Sequence, residues 1–593
     1  MNAMSPRFVP NFGPHLGSHF GQGFGMTATV STGRRSLAQV RERLLLVAKW
    51  RALWLLGGFV LLAVCCLLRI AFLGTFEPAH ASRTMAELLL PARGEIVDRN
   101  GVPLARDFKS YSLWFNPKAL DNGPPLIRSP REVALELNRI FPDLAVNVLT
   151  ERLKSGKPGY LRRRILPEDA NRVHELGEAA LEFPRETERF YPQGSMAAHV
   201  LGFVSANGQG KVGMEQVYNG RLTDPATRGQ PAVLSIDFRV QGALEDELGQ
   251  GMALSQAKGA AGIVLDVDTG EVLALASLPA FDPNKIDGAA TPNIFNRVTN
   301  QVYELGSTFK PITVAAALDA GTVTDLGRRW QASRPLQVSG FQIRDSHSLG
   351  ASLNVPQTLI HSSNIVTAQI ADELGGARLK TTMQSLGFNE RPYIELPARG
   401  FPLWPGGNWP RIQTMTVSYG HGIAVTPLHL ASAYAALVNG GVWRPATLHR
   451  LSPAEVPAGR RVFKAATSAK MRQMLRMIVA YGTGSKADAP GFRVGGKTGS
   501  AEKPGQGGYQ RSTLVSTFAA AFPMDHPRYV VIAMLDEPKG TMATSGQRTA
   551  AWNAAPVVGR VVPRIGPLLG VMPDETRDVD ISDLLPLIPG EAH

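Results

Sequence analysis

One stretch of this chain is apolar enough to cross a membrane, and it limits how the rest can fold. Residues 52–74 include the run LWLLGGFVLLAVCCLL, and Arg69 is their only charged residue. A helix of about 20 predominantly apolar residues spans the hydrocarbon core of a bilayer. Arg69 lies close enough to the end of the run for its long side chain to reach the interface. The run therefore predicts a single transmembrane helix with a large folded part after it.

The charges on either side of the span predict its orientation. Residues 34–51 carry six basic side chains against one acidic side chain, whereas few charges follow the span, namely Glu77, Arg83 and Glu87. Because basic residues are retained on the cytoplasmic side, we expect the N-terminus in the cytoplasm and everything beyond residue 75 outside the cytoplasmic membrane. The alternative is a cleaved signal peptide, which the length of the apolar run disfavours.

Charge and cysteine content narrow the possible partners. The net charge is +13 and the isoelectric point about 9.8, yet the sequence carries no zinc-finger, helix-turn-helix or RNA-binding signature. A membrane surface or an anionic cell-wall polymer is therefore the expected partner, and nucleic acid is not. The two cysteines, Cys65 and Cys66, are adjacent within the apolar run and predict neither a disulfide framework nor a metal site. No residues have metal-ligand spacing, so we expect no metal and no cofactor.

Composition also divides the chain into five predicted parts. Residues 1–33 are rich in Gly, Phe, Pro, Ser and His without an apolar period, which is typical of disorder. The predicted parts are a cytoplasmic, mostly disordered basic tail (1–51), the transmembrane helix (52–74), a first folded domain (75–225), called non-catalytic because the motifs described below lie outside it, a second folded domain that contains them (226–573) and a short, solvated, acidic C-terminal tail (574–593).

The non-catalytic domain, called the pedestal below, shows mixed patterns. Residues 93–105 read as strand, turn and strand around the hairpin signal Asn100-Gly101. Residues 130–180 are predicted to be mostly helical, and a linker containing Pro and Gly, 224–231, ends the domain.

The second folded domain, called the catalytic domain below, combines strands from both of its ends with helices between them. A strand at 232–236, a helix at 238–255 and a hairpin of residues 260–267 and 271–277 come first. A largely helical block extends to about residue 436. Further strands are predicted at 495–501, 515–521 and 529–535, with a closing helix at 543–565. An antiparallel sheet with flanking helices and a helical subdomain is an α+β architecture.

A short motif in this domain suggests nucleophilic catalysis. Ser307 and Lys310, in the stretch GSTFKP, are three residues apart and would share one face of a helix. A serine hydroxyl needs a neighbouring base to become a good nucleophile. Lysine can be that base if burial or nearby cations lower its pKa. Alone, this spacing is a weak signal, since a solvated helix start would look the same.

Two further motifs turn the weak signal into a strong one. Ser362-Ser363-Asn364 fits S-x-N and Lys497-Thr498-Gly499 fits K-T-G, at 55 and then 135 residues along the chain. The ordered set of S-x-x-K, S-x-N and K-T-G is the signature of penicillin-recognising serine enzymes.

With these motifs the sequence resembles the class B penicillin-binding proteins, and within them the cell-division branch. RGEIVDRNGVPLA, RFYP, GFV and GMEQ look like the motifs of that family's pedestal region. YELGSTFKP, SSN and GGKTGSAEK look like its active-site motifs, and SYGHGIAVTPLHLASAYAALVNGG is similar to the division branch. Leu305 and Ser500 depart from the residues common at those positions but leave the catalytic side chains in place. The resemblance implies a penicillin-binding-protein transpeptidase fold, preceded by an elongated mixed α/β pedestal and one transmembrane helix.

The resemblance also implies a reaction and its residues. The reaction is acyl transfer on peptidoglycan stem peptides ending in D-Ala-D-Ala, a chemistry that β-lactams intercept. Ser307 would be the nucleophile and Lys310 the candidate base, with Ser362 relaying a proton and Asn364 orienting Lys310 or the substrate amide. Lys497 and Thr498 would meet the substrate carboxylate. Gly499 would let the substrate approach the strand, and the main-chain N–H groups of Ser307 and Ser500 would form the oxyanion hole.

The implied role is a monofunctional D,D-transpeptidase of septal wall synthesis, because no transglycosylase domain is evident. Its expected partners are a membrane-embedded FtsW-like glycan polymerase and other division proteins, at the septum of a bacterial inner membrane. The alternatives are an elongation-specific transpeptidase, a β-lactam sensor, a structural division subunit with an idle site, and a hydrolase such as a carboxypeptidase or β-lactamase. Intact motifs, a short N-terminal segment and the long pedestal disfavour the last three.

Overall fold

The computed structural model describes residues 37–76, 92–120, 123–205, 207–286, 292–505 and 508–590. The chain divides into two compact units, Met1–Thr84 and Met85–His593. The segment predicted to be disordered, 1–33, and the charges Glu77, Arg83 and Glu87 lie outside the described residues.

The first unit contains helix α1 (Leu37–Phe76). Within it, Ala48–Arg69 is long and apolar enough to cross a membrane, with a mean hydropathy of 2.2. Residues 37–51, at the end of the tail predicted to be mostly disordered, are helical. This stretch, LAQVRERLLLVAKWR, contains strong helix formers and neither Gly nor Pro, so nothing stops the helix before the apolar run.

In the second unit, the pedestal is a mixed α/β domain, and the turn predicted at Asn100-Gly101 joins its first two strands. Its strands are β1 (Ile96–Val97), β2 (Pro103–Phe115), β3 (Gly159–Ile165), β4 (Leu181–Glu182), β5 (Arg185–Phe190), β6 (Phe203–Val204) and β7 (Gly210–Val212). Its helices are α2 (Pro130–Ile140), α3 (Val146–Lys154), α4 (Pro167–His174), α5 (Ala198–Leu201), α6 (Gly213–Val217) and α7 (Asn219–Thr223). The mostly helical character predicted for 130–180 is confirmed.

The long strand β2 organises the pedestal, because β1, β3, β4 and β5 all pair with it. The next strand, β8 (Ala232–Val233), follows the predicted linker and pairs in parallel with β1. The chain that leaves the pedestal is thus hydrogen-bonded back to the first pedestal strand.

The catalytic domain follows, and the predicted hairpin and the last three strands are confirmed. Its helices are α8 (Phe238–Leu254), α9 (Lys310–Asp319), α10 (Val355–Ile360), α11 (Asn364–Leu374), α12 (Gly376–Ser385), α13 (Arg411–Val417), α14 (Pro427–Val438), α15 (Ala465–Tyr481) and α16 (Ala554–Ile565). Its remaining strands are β9 (Gly259–Asp266), β10 (Val272–Leu278), β11 (Trp330–Gln331), β12 (Leu336–Val338), β13 (Phe341–Ile343), β14 (Ser352–Leu353), β15 (Val442–Trp443), β16 (Arg460–Arg461), β17 (Gly495–Gly505), β18 (Gly508–Phe522) and β19 (Tyr529–Asp536). The short strands β11–β14 interrupt the block predicted to be largely helical.

An antiparallel sheet of order β10-β9-β19-β18-β17 forms the centre of this domain. Because successive side chains of a strand point to opposite faces, β19 supplies two cores. Val531 and Leu535 belong to the core shared with α8 and α16, whereas Ile532 and Met534 belong to the core shared with α14. Strand β17 lies at the end of this order and carries the K-T-G motif.

The closing helix is shorter than predicted. It begins at Ala554 rather than at residue 543, and the Asn553 side chain accepts a hydrogen bond from the Ala554 N–H. A helix cannot run through from residue 543, because Ser545 and Gly546 have φ angles of 51° and 73°, in the left-handed region that a right-handed helix excludes.

The prediction of a solvated C-terminal tail is also wrong. Leu584 and Ile588 are buried against the catalytic core. Asp578 pairs with Arg476 of α15 at 2.7 Å, and the Asn354 side-chain amide donates to the Leu587 carbonyl oxygen at 2.6 Å. The tail is acidic, but leucine and isoleucine alternate with its charges, so it can bury one side while its carboxylates meet a basic helix.

Candidate active site

The nucleophile motif forms a tight turn at the start of a helix. Ser307 lies half-buried in a 3₁₀ turn, Gly306–Phe309, and Lys310 is the first residue of α9. In a 3₁₀ turn residues i and i+3 eclipse one another, so Lys310 follows Ser307 on the same side. Gly306 has a φ angle of 55°, and a Cβ there would lie 3.0 Å from the Ser500 carbonyl oxygen. A larger residue would therefore both strain the turn and press on β17.

The downstream side of this turn is held by the core. The Thr308 hydroxyl donates to the Leu305 carbonyl oxygen at 2.9 Å, and the Tyr434 hydroxyl donates to the Thr308 carbonyl oxygen at 2.8 Å. Phe309 packs against Phe388 with ring centroids 5.3 Å apart. The residues that join the turn to α9 are therefore buried and hydrogen-bonded.

The hydroxyl of Ser362 lies between two lysines. Ser362 Oγ accepts a hydrogen bond from Lys310 Nζ at 3.1 Å and from Lys497 Nζ at 3.0 Å. Lys310 Nζ also donates to the Ser362 carbonyl oxygen. Ser362 has a φ angle of 63°, which is unfavourable for a non-glycine residue and is typical of functional sites. The S-x-x-K, S-x-N and K-T-G motifs thus meet at this one oxygen.

Both lysines are completely buried, and this changes their charge. Burial and the nearby Lys497 ammonium hold the pKa of Lys310 well below its usual value, against the opposing attraction of Asp345. Burial lowers the pKa of Lys497 to about 7. Two like charges this close cannot both persist without cost, so the neighbouring Lys497 adds to burial in favouring the neutral amine of Lys310.

Asp345 accepts hydrogen bonds from the S-x-N motif. The sequence analysis did not predict this residue. Its carboxylate accepts hydrogen bonds from the Ser363 hydroxyl at 2.7 Å and from the main-chain N–H groups of Asn364 at 2.5 Å and Ile365 at 3.1 Å. Carboxylates stabilise helix N-termini in this way. Asp345 therefore fixes the start of α11 directly after Ser362.

Strand β17 completes one wall of the site. Lys497 Nζ also donates to Thr498 Oγ1 at 3.2 Å, and Thr498 Oγ1 lies 2.9 Å from Thr483 Oγ1. A Cβ on Gly499 would lie 2.3 Å from the Leu305 carbonyl oxygen. Glycine at 499 is thus required by the contact between β17 and the nucleophile turn, an explanation the sequence analysis did not give. The Ser500 hydroxyl accepts from the Ala550 N–H at 3.0 Å, so this side chain stabilises the protein.

Asn364 was predicted to orient Lys310 or the substrate amide, but its side chain is hydrogen-bonded elsewhere. The Asn364 side-chain amide donates to the Arg344 carbonyl oxygen at 3.0 Å, and no hydrogen bond between described residues joins Asn364 to Lys310. Nor does the Ser307 hydroxyl make one within the part of the chain that the structure describes. Catalytic hydrogen bonds often tighten only when substrate is bound.

Asp345, Thr483 and Tyr434 are the site residues that the sequence analysis missed. Each reaches the site across a large sequence separation, and none stands in a motif with catalytic spacing. Thr483 had no signal beyond two flanking glycines. Among the described residues, no group of three or more His, Cys, Asp or Glu side chains could hold a metal ion.

This arrangement can perform acyl transfer. It offers a hydroxyl on a rigid turn, a buried neutral amine one turn away, a second hydroxyl between two amines, and a strand beside them. A neutral amine donates two hydrogen bonds, and Lys310 has two acceptors on Ser362, which leaves its lone pair for a proton.

Comparison with known families agrees with this chemistry. Residues 260–557 match the penicillin binding protein transpeptidase domain, and residues 89–242 match the penicillin-binding protein dimerisation domain. The chain therefore belongs to the class B penicillin-binding proteins, which combine these two domains.

Relatives within the family are similar over most of their length. The chain is 40% identical over 490 residues to the probable peptidoglycan D,D-transpeptidase FtsI of Caulobacter vibrioides, covering 81% of this chain and 82% of the relative. It is 29% identical over 565 residues to the peptidoglycan D,D-transpeptidase FtsI of Escherichia coli, covering 90% and 94%. The crystal structure of penicillin binding protein 3 from Mycobacterium tuberculosis, complexed with aztreonam, superposes with a TM-score of 0.64 at 25% identity, covering 82% of this chain and 98% of that chain.

Proposed function

We propose that this protein is an FtsI-type, serine D,D-transpeptidase that cross-links peptidoglycan stem peptides during cell division. The observation that carries this proposal is the position of Ser362 Oγ, 3.1 Å from Lys310 Nζ and 3.0 Å from Lys497 Nζ. The three motifs that define the family are brought to one point, with the lysine that must lose its proton buried among them.

Ser307 attacks the carbonyl carbon of the penultimate D-Ala. Its hydroxyl proton passes to Lys310, whose lowered pKa keeps it neutral and able to accept. The bond to the last D-Ala then breaks, and the leaving nitrogen takes a proton from the Ser362 hydroxyl, which Lys310 replenishes. Ser307 is left as an ester of the stem peptide.

Charge in the substrate and in the transition state is met by separate groups. Lys497 and Thr498 bind the terminal carboxylate, and the Thr483 hydroxyl at 2.9 Å from Thr498 Oγ1 fixes the Thr498 side chain. The N–H groups of Ser307 and Ser500 donate to the oxygen that becomes negative. Loss of one such donor typically slows a reaction by about 10²–10³.

Deacylation completes the transfer. An amine on a second stem peptide attacks the ester carbon and gives up a proton to Lys310, the bond to Ser307 Oγ breaks, and Lys310 returns the proton to that oxygen. The ester carbon lies between strand β17 and the Ser307 turn, where the second stem peptide can reach it. Water competes with the amine for the same carbon.

A labelled penicillin tests the catalytic assignment. We expect the full-length protein in detergent to be acylated at Ser307, because the β-lactam presents a strained amide to the same nucleophile. Ser307→Ala should abolish labelling while the melting temperature stays within about 2 °C of the wild type. Undiminished labelling of this variant would refute the assignment.

The membrane topology is a separate proposal. α1 crosses the inner membrane once, with its basic end in the cytoplasm and the catalytic domain in the periplasm. A protease added to spheroplasts should digest the chain beyond residue 75 and spare the N-terminal segment. A released soluble form would instead support signal cleavage.

The similarity to FtsI-type relatives supports the proposal of a septal role. A protein without a polymerase domain must receive its glycan strands from another enzyme, and an FtsW-like membrane polymerase is the proposed partner. Gly57 and Gly58 give α1 a small-residue surface for close helix approach. A fluorescent fusion should gather at midcell, and depletion should give long filaments. Round cells with dispersed fluorescence would favour the elongation branch.

A further inference from the structure

The segment just before the nucleophile turn is packed on one side, where Tyr303 and Leu305 are buried in the core. Tyr303 exchanges two main-chain hydrogen bonds with Val425, at 2.9 and 3.0 Å. A cavity of about 420 Å³ adjoins this segment, and Tyr303 and Glu304 line it together with Gly422 and Glu502. Side chains that line a cavity of this size have no protein atoms packed against them on that side. Close packing therefore does not fix this side of the segment.

The Glu304 carboxylate replaces that packing. Its Oε1 accepts a hydrogen bond from the Tyr509 hydroxyl at 2.9 Å and from the Gly422 N–H at 3.0 Å. Its Oε2 lies 3.2 Å from His421 Nδ1, and the Glu304 side chain is only 12% exposed. One side chain thus joins three segments: the approach to the nucleophile, the loop 419–422, and the start of β18. We name these four residues, Glu304, His421, Gly422 and Tyr509, the Glu304 clamp.

The clamp is connected to the reacting group in two ways. Along the chain, Glu304 precedes Ser307 by three residues, which places their Cα atoms no more than about 11 Å apart. Across space, Gly420 of the clamped loop abuts the turn, because a Cβ on Gly420 would lie 2.3 Å from the Gly306 carbonyl oxygen and 2.7 Å from the Gly306 nitrogen. Movement of this loop would therefore displace the turn that presents the Ser307 hydroxyl and N–H.

We propose that Glu304 is a positioning residue for acylation, which fixes the Ser307 turn by accepting hydrogen bonds from Tyr509 and Gly422. The inference rests on the proposed function, since Ser307 must be the nucleophile. Glu304 acts through geometry, and it neither contacts the substrate nor exchanges a proton with it. Tyr509 is the member of the clamp at the surface, because the residue is 48% exposed while its hydroxyl donates to the carboxylate.

This role predicts a graded series of variants. A misplacement of about 1 Å can cost about a hundredfold in rate, so Glu304→Ala should slow acylation by about 30- to 100-fold. Glu304→Gln keeps an oxygen that can accept both hydrogen bonds and should stay within about fivefold of the wild type. Tyr509→Phe removes one of the two donors and should fall between them, at about three- to tenfold.

The experiment measures the acylation rate constant of the full-length protein in detergent with a fluorescent penicillin, together with the final labelling stoichiometry and the melting temperature. A positioning role lowers the rate constant while the labelling still reaches one per molecule. A purely structural role would lower the melting temperature or the labelled fraction and leave the rate constant of the labelled molecules unchanged, which would overturn the proposal.

Two further variants separate geometry from charge. Glu502→Ala removes a carboxylate that lines the same cavity and makes no hydrogen bond among the described residues. A loss equal to that of Glu304→Ala would show that negative charge matters and would overturn the proposal, as would a Glu304→Gln variant as slow as Glu304→Ala. Tyr393→Phe is the matched control for Tyr509→Phe, since Tyr393 is 63% exposed. Absence of labelling in the wild type would refute the proposed function itself, whereas a wild-type rate in Glu304→Ala refutes only the clamp.

Discussion

The pedestal and the catalytic centre both bury charged side chains, but they do so in opposite ways. In the pedestal, Glu215 is fully buried and accepts hydrogen bonds from Arg93 Nε and Arg189 Nε, both at 2.6 Å. Arg189 also pairs with Asp107 at 3.2 Å. In the catalytic centre, Lys310 and Lys497 are equally buried, yet they share one serine hydroxyl instead of a carboxylate.

The buried charges of the pedestal stabilise the structure, whereas those of the catalytic centre serve the proposed reaction. Buried charges of opposite sign compensate each other, and removing one partner leaves an uncompensated buried ion. Burial instead lowers the pKa of both lysines, and the Lys497 charge lowers the pKa of Lys310 further. The motifs RGEIVDRNG, RFYP and GMEQ contribute Arg93, Arg189 and Glu215, so the pedestal motifs converge on one ion cluster as the catalytic motifs converge on Ser362.

The strongest test of this contrast removes Lys310, the proposed base. Lys310→Ala should slow acylation by about a thousandfold or more, since general-base catalysis typically contributes about 10²–10⁴. Stability should not fall, because the side chain is buried without a compensating anion in contact. Lys310→Arg should not restore the rate, because arginine stays protonated in proteins. The measurement is the rate of penicillin labelling, with the exposed Lys539→Ala as control, and a normal rate in Lys310→Arg would exclude Lys310 as the base.

Breaking the ion cluster of Arg93, Arg189 and Glu215 in the pedestal should lower stability and leave the acylation rate constant unchanged. Glu215→Ala leaves two buried guanidinium groups without their main acceptor, and such a loss costs about 3–5 kcal/mol. For a protein of this size we expect the melting temperature to fall by about 5–15 °C. The acylation rate constant of the molecules that remain folded should be unchanged. Glu175→Ala, an exposed pedestal carboxylate, is the matched control, and an unshifted melting temperature in Glu215→Ala would contradict the structural role.

What the sequence could predict here was mostly local or periodic. Ser307 and Lys310 are placed by a spacing of three residues, and the buried strand YVVIAML is evident from its composition. The other catalytic residues were predicted from the order of the three motifs. Together the motifs identify a family with a known fold, which a single motif does not. The Asn100-Gly101 turn was readable for the same local reason.

What could not be predicted depends on chain segments that meet only in the folded protein. Asp345 accepts a hydrogen bond from Asn364, which lies 19 residues further along the chain. The residues next to Asp345 in the sequence form no motif that would predict this contact. The acidic tail looked solvated because its partners, such as Arg476, lie a hundred residues earlier. Gly499 carried a signal for substrate approach, but its contact with the Leu305 carbonyl oxygen depends on how β17 meets the nucleophile turn.

The smallest effect we expect is also the one that compares the two regions most directly. Replacing Lys497 by methionine should raise stability by roughly 1 kcal/mol at pH 7, because a buried amine is exchanged for an apolar side chain of similar length. Acylation should be lost. The sign of the pH dependence follows from the lowered pKa of Lys497, about 7 in the folded protein against 10.5 for the ordinary side chain.

Between pH 7 and 10.5 the unfolded wild type binds the proton that the folded wild type has lost, so its stability rises with pH across this window. Below pH 7 both states are protonated, and this group adds no further slope. The advantage of Lys497→Met should thus be greatest at or below pH 7 and shrink as the pH approaches 10.5. Melting temperatures of both proteins at pH 6.5 and 9.5 measure this, with the exposed Lys539→Met as control. A difference between Lys497→Met and wild type that is independent of pH would mean that Lys497 keeps its ordinary proton affinity when buried, and the contrast with the paired charges of the pedestal would then fail.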